Sequence, residues 1–185
     1  MRILVRHGRI AIALGGMLTI GSASALAQTT VVLPDTSQTT TMSVNVSEQA
    51  RVAVPAGISF NVTNIGAATP AAAATVTIDQ VVLATATKQL RISLQATTAS
   101  FTAPVTGATT WSASDVSWNA ATWTAATGVG GTLSNAAFNT VATCSPGAAA
   151  CSTTGLVFSL APKAAVQRSG AHTLVVTWKV ESIGS

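Results

Sequence analysis

Few side chains in this sequence can carry acid–base or nucleophilic chemistry. After residue 27 there is one histidine, His172, and the chain has five carboxylates, Asp35, Glu48, Asp79, Asp115 and Glu181. Catalysis by acid and base needs titratable groups that meet in one pocket, and no G-x-S-x-G sequence exposes a serine nucleophile. We therefore expect a protein that is not an enzyme, with His172 satisfied or exposed at the start of the last strand. A secreted hydrolase that depends on His172 is the alternative.

No cofactor or metal site is predicted. Asp79 and Asp115 stand far from other carboxylates, whereas calcium requires a cage of oxygen ligands. The run Gly128-Val129-Gly130-Gly131 is followed by no helical pattern, and a phosphate-binding loop must lead into a helix N-terminus. We interpret the run as a tight or mobile loop.

Trp111, Trp118 and Trp123 are the candidate ligand-binding residues. They lie within thirteen residues, in a region rich in Ser, Thr and Asn, and aromatic faces of this kind can stack on sugars. Core packing is the alternative, because tryptophan buries a large area while its N–H needs only one partner. The core is favoured for Trp118, which shares strand parity with Val116, and both interpretations stay open for Trp111 and Trp123.

The N-terminus has the order of a secretory signal peptide. Arg2, Arg6 and Arg9 precede an apolar run, residues 10–20, and the small residues that follow predict cleavage after Ala27. This run is well short of the roughly 20 residues that span a bilayer. We expect a secreted or cell-envelope protein with no integral membrane span after cleavage.

Cys144 and Cys151 enclose a segment of turn-forming residues, which can bring the two ends together. In an exported protein such a pair predicts a disulfide. A redox pair or half of a metal site would require C-x-x-C spacing or nearby histidines.

Charge excludes one class of partner. Beyond residue 27 the chain has six Lys and Arg against five Asp and Glu, a net charge of +1. No basic stripe remains that would neutralise several phosphates together, so nucleic acid is not expected. Over the whole sequence 48% of residues are hydrophobic and 8% are charged, which argues against disorder.

From Met42 onward, apolar residues recur with the period of two that places them on one face of a strand. The segments with this pattern are 52–54, 58–62, 90–95, 156–160 and 174–181, with another at 76–83 that is broken by a bulge or turn near Asp79-Gln80. The alanine runs at 71–74 and 148–150 lack helical recurrence and are interpreted as loops. The pattern predicts an all-β domain over residues 42–185, an antiparallel Ig-like or Greek-key β-sandwich.

Residues 28–41 are predicted to form a flexible N-terminal extension, as chain termini commonly do. The alternative is a donor strand that completes the sheet of a neighbouring copy. Val31-Val32-Leu33 is the apolar patch that supports it, and Pro34 removes a ladder hydrogen bond.

The C-terminal region resembles the end of WxL-type bacterial surface domains. A strand, Leu156–Pro162, precedes a turn that contains Gly170 and a last strand with Trp178-Lys179-Val180, in which Val180 stands where that family has leucine. These thirty or so residues are also similar to spore-coat-U-like and pilin-like secreted subunits. The resemblance implies a surface sandwich and, for the WxL family, wall binding.

Together these observations predict a secreted, non-enzymatic structural or adhesive subunit of the cell surface. Its near-neutral, Thr-rich exterior lacks the charge that keeps domains apart. The expected partner is a cell-wall polymer or glycan, or copies of the chain itself. A carbohydrate-binding module that uses exposed tryptophans is the alternative function.

Overall fold

The computed structural model describes residues 30, 32–34 and 38–184. The predicted signal peptide, residues 1–27, lies outside them. Contacts divide the chain into two units, Met1–Ser43 and Val44–Ser185. The described residues of the first unit are exposed and form neither helix nor strand.

The second unit is all-β, as predicted. Its first strand begins at Gln49, so the described residues 38–48 precede the β structure. The strands are β1 (Gln49–Ala53), β2 (Thr69–Pro70), β3 (Ala74–Val82), β4 (Gln89–Ala96), β5 (Val116–Trp118), β6 (Ala126–Gly128), β7 (Gly131–Thr132), β8 (Asn139–Cys144), β9 (Cys151–Leu156), β10 (Phe158–Leu160) and β11 (Val176–Ile183). A 3-10 turn, Ala113–Asp115, precedes β5.

The strands form three antiparallel sheets, in the orders β1-β3-β9, β2-β10-β5-β7 and β11-β4-β8-β6. The segment that holds β2 and β3 runs beside the segment that holds β9 and β10, so the same two stretches of chain contribute to the first two sheets. The predicted irregularity near Asp79-Gln80 is present: Gln80 has a φ of 51°, and the β1–β3 register shifts beside it.

One hydrophobic core receives side chains from all three sheets. Ile78 of β3, Ile92 of β4 and Leu156 of β9 are completely buried within it. The alternation that predicted these strands is therefore the alternation between this core and the outer faces. The alanine runs at 71–74 and 148–150 lie in loops, as predicted, except that Ala74 already belongs to β3.

The disulfide Cys144–Cys151 is formed, as predicted. Cys144 ends β8 in one sheet and Cys151 begins β9 in another, and both residues are buried. The bond therefore closes the turn through which the chain passes from one sheet to the next.

The prediction of a strand at residues 58–62 is wrong in one respect. Ile58, Phe60 and Val62 alternate with exposed neighbours and pack against the core. However, the segment belongs to no sheet, because no strand among the described residues supplies it with a ladder of hydrogen bonds. Alternation reports which face is buried, and a β-ladder requires a partner as well.

Candidate binding cleft

An apolar cleft opens into the core. Its volume is about 1020 Å³. The floor is formed by buried core side chains, among them Leu94, Val116, Leu133, Phe158 and Leu160. One flank is the segment 55–62, and the other is the segment 166–176 with Trp178 of β11. The cleft therefore gives access to apolar side chains of the core.

The inner faces of both flanks are only partly buried. On one flank these side chains are Ile58, Phe60 and Val62, and on the other they are Leu174, Val176 and Trp178. Both sets point towards the core without being fully covered. Apolar side chains on both flanks of the cleft are therefore left partly exposed.

The backbone of the first flank lacks hydrogen-bond partners. Among the described residues, none donates to or accepts from residues 54–63. The second flank includes β11, which is the edge strand of its sheet and pairs with β4 on one side. Exposed edges of this kind are templates for pairing with another extended segment.

His172 lies at the mouth of the cleft with both ring nitrogens in hydrogen-bonding positions. Nδ1 is 2.7 Å from Oγ1 of Thr110, and Nε2 is 3.2 Å from the carbonyl oxygen of Arg168. The ring also meets Trp111 edge-on at 5.2 Å between centroids. No carboxylate accompanies His172 among the residues that line the cleft. This is the satisfied histidine of the sequence analysis, although it lies four residues before β11.

The three candidate tryptophans are buried, with 5%, 4% and 8% exposure for Trp111, Trp118 and Trp123. The sequence left burial and exposure open for Trp111 and Trp123, and both rings are buried in the core. Trp111 donates from Nε1 to the carbonyl oxygen of Ala161 at 3.0 Å, and Trp118 donates to that of Val129 at 2.9 Å. A ligand-binding role would require the rings to become exposed.

Trp118 and Trp123 differ in whether the indole N–H has a hydrogen-bond partner, and this difference leads to a prediction about stability. The buried Nε1 of Trp123 has no partner among the described residues, whereas that of Trp118 is bonded. Replacing either by phenylalanine removes a similar volume. We expect Trp118→Phe to lower the free energy of unfolding by about 1 kcal/mol more than Trp123→Phe, the net value of a hydrogen bond. Urea unfolding of the two variants measures the difference, and an equal or larger loss for Trp123→Phe would contradict it.

The glycine run forms a tight connection between two strands, in which Gly128 ends β6 and Gly131 begins β7, and these two glycines make room for the indole rings. A Cβ built on Gly131 would lie 2.6 Å from Cζ2 of Trp118, and one on Gly128 would lie 2.7 Å from Cδ1 of Trp123. No local sequence pattern connects these glycines with the tryptophans.

The described carboxylates are paired with cations and do not gather. Arg51 and Asp79 face each other on β1 and β3 with two contacts of 2.6 and 2.7 Å. The other pairs are Lys88–Glu48, Arg91–Glu181, Lys179–Glu181 and Lys163–Asp115. Within the described part of the chain, no three His, Cys, Asp or Glu residues form a group that could hold a metal ion.

Asp115 supports a prediction about acid stability. Burial raises its pKa, but hydrogen bonds from Lys163 and from the Ser112 backbone outweigh this and hold the pKa below the ordinary 3.8. A carboxyl with a lowered folded-state pKa stabilises the fold above its unfolded pKa, and this contribution is lost as the pH falls through the folded value. We expect the wild type to lose more stability than Asp115→Asn between pH 5 and the acid limit of unfolding measurements. Equal losses in thermal melts would contradict this role.

An apolar stripe precedes the first strand. Met42, Val44 and Val46 are 91%, 86% and 68% exposed and alternate with Ser43, Asn45 and Ser47. Sequence reasoning placed Met42 at the start of the folded domain and assigned the apolar patch of the extension to Val31-Val32-Leu33. Val31 lies outside the described residues, and Val32 and Leu33 are exposed. The period of two at 42–46 was the signal that pointed to this stripe.

No protein-family model matches this chain, and comparisons with curated proteins and with solved structures gave no match either. The resemblance to WxL-type domains thus rests on the residues that suggested it. Trp178 and Val180 lie on β11 and point their side chains towards the core beside the cleft. In the described part of the chain, no helix is long and apolar enough to cross a membrane.

Proposed function

We propose that this chain is an exported, non-enzymatic structural subunit that associates with copies of itself at the cell surface. The carrying observation is the cleft of about 1020 Å³ that leaves core side chains accessible. Clefts that open onto buried apolar side chains and carry a few polar groups at their rim commonly mark sites of binding or association.

Two further features support the proposal. The disulfide Cys144–Cys151 suits an oxidising compartment outside the cytosol. The outward positions of the strands carry mostly uncharged residues, as on β3 and β9, so little electrostatic repulsion opposes the approach of a second copy.

The finer architecture belongs to the same proposal. We take the fold to be an Ig-like sandwich, in which the sheet β11-β4-β8-β6 faces the other strands across the shared core. In such a sandwich the cleft lies where a strand beside β11 would complete the layer.

Sedimentation of the exported, purified protein over a range of concentrations tests the function. We expect concentration-dependent oligomers, with extended assemblies visible by electron microscopy at high concentration. A strict monomer at all concentrations would contradict self-association. Cosedimentation with isolated cell wall, by a protein that stays monomeric, would favour the wall polymer as partner instead.

A further inference from the structure

We propose that residues 41–47 of one copy of this chain enter the cleft of a second copy and pair there as an added β-strand. The inference rests on the proposed self-association and names the segment and the surface that carry it. It places the inserted strand between the flank 55–62 and the flank that leads into β11.

The segment 41–47 has the side-chain pattern of a strand that is half-buried. Met42, Val44 and Val46 fall on one face, and Ser43, Asn45 and Ser47 fall on the other. All of them are exposed. A chain that displays three large apolar side chains in register, with nothing packed on them, has the composition of an unpartnered strand.

The cleft offers the complementary apolar surface. Its floor contains Leu94, Phe158 and Leu160, and its flanks present half-buried apolar side chains from 58–62 and from β11. Inserting the apolar face of 41–47 would cover both flanks at once, and its polar face would remain towards solvent. Strand addition of this type gains affinity from main-chain hydrogen bonds and specificity from alternate side-chain pockets.

The backbones of donor and acceptor match as well. Residues 39–47 make no hydrogen bond to another described residue, and neither do residues 54–63 of the flank. Both segments therefore have free N–H and C=O groups. Pairing would satisfy them in a ladder, which is how extended chains usually meet this requirement.

Charge and length are compatible with insertion. Residues 39–47 carry no ionisable side chain, and the apolar cleft floor carries none either. Seven residues in a strand extend about 23 Å, at roughly 3.3 Å per residue. This is close to the length of β11, whose eight residues form an edge of their sheet and whose first residues, at Val176 and Trp178, line the cleft.

The donor belongs to a second copy because the chain is fixed just after it. Glu48 accepts hydrogen bonds from the backbone N of Ala84 and from Nζ of Lys88, each near 2.7–2.8 Å. β1 then begins at Gln49 and pairs with β3. Neither strand, nor Ala84 or Lys88, lines the cleft. The segment 41–47 is therefore joined to the domain at Glu48, whose partners do not line the cleft, and this favours insertion into another copy.

A pair of double variants with matched charge tests the proposal. Val44→Asp with Val46→Asp puts two carboxylates on the apolar face of the segment, and Ser43→Asp with Asn45→Asp puts them on the polar face. We expect the first double variant to weaken self-association at least about a hundredfold, because it places two carboxylates against the apolar floor of the cleft. The second double variant should self-associate with an affinity within about threefold of that of the wild type. All four positions are exposed, so both variants should melt like the wild-type monomer.

Site-specific cross-linking locates the contact. A photoreactive residue at position 44, in a mixture of isotopically labelled and unlabelled protein, should form adducts between copies that map to 55–62 or 174–178. The same group at position 45 should yield few. Adducts within one copy, or at other surfaces, would overturn the proposal.

The outcomes separate this proposal from the proposed function. Equal association of both double variants with the wild type, or equal loss in both, would overturn strand insertion while self-association itself remained. A wild-type protein that is strictly monomeric would overturn both.

Discussion

Replacing Gly128 by alanine should lower the free energy of unfolding by about 3 kcal/mol, the upper part of the range for overpacking a tight site. The new Cβ would lie 2.2 Å from the carbonyl oxygen of Ala121 and 2.7 Å from Cδ1 of Trp123. A backbone oxygen and a buried indole ring cannot both move aside without disturbing β6 and the core. Chemical unfolding of the variant, monitored by tryptophan fluorescence, measures the loss.

Gly155→Ala is the matched control. Gly155 also lies in a strand, but the nearest atom to its Cβ would be Oγ1 of Thr153 at an ordinary 3.9 Å. This variant should stay within about 0.5 kcal/mol of the wild type, or gain slightly through the reduced entropy of the unfolded chain. Equal stability of the two variants would show that the close packing of Gly128 against Trp123 is not required.

Removing the disulfide should lower the free energy of unfolding by a similar amount. Cys144→Ala with Cys151→Ala opens a loop with a sequence separation of 7. The chain-entropy relation gives about 2.5 kcal/mol for a loop this short. Because the bond joins the end of β8 to the start of β9, its loss should also increase hydrogen exchange in the turn between them.

Wild-type protein reduced with its thiols intact serves as the control for this variant. It loses the cross-link but keeps the sulfur atoms in the core, so its loss of stability should approach that of the double alanine variant. A reduced protein as stable as the oxidised one would contradict a stabilising role for the bond.

Strand positions were predictable where a segment has both alternating buried side chains and neighbouring strands to pair with. Residues 90–95 alternate and lie between two partners, so β4 appears where the sequence predicts it. Residues 156–160 alternate too, but the chain changes sheets at Val157, and the period of two carries no signal for such a change. Residues 58–62 alternate without a partner, so burial was predictable there and the missing ladder was not.

The candidate site was less accessible to sequence reasoning because it depends on distant contacts. Thr110, which meets His172, lies 62 residues before it, and no local pattern connects them. The burial of Trp118 followed from its parity with Val116, whereas Trp111 packs against His172 and donates to Ala161, which lie 61 and 50 residues further along the chain. The apolar stripe at Met42, Val44 and Val46 was visible as alternation, but the sequence alone cannot distinguish an exposed stripe from a core strand.

Hydrogen–deuterium exchange at two protein concentrations tests the central claim most directly, because donor and acceptor backbones are read in one experiment. The account predicts fast exchange at residues 42–47 and 57–62 in dilute protein, and joint protection of both segments at high concentration. The Val44→Asp, Val46→Asp variant should remain unprotected at both. Protection that is independent of concentration, or that appears in one segment alone, would contradict the account.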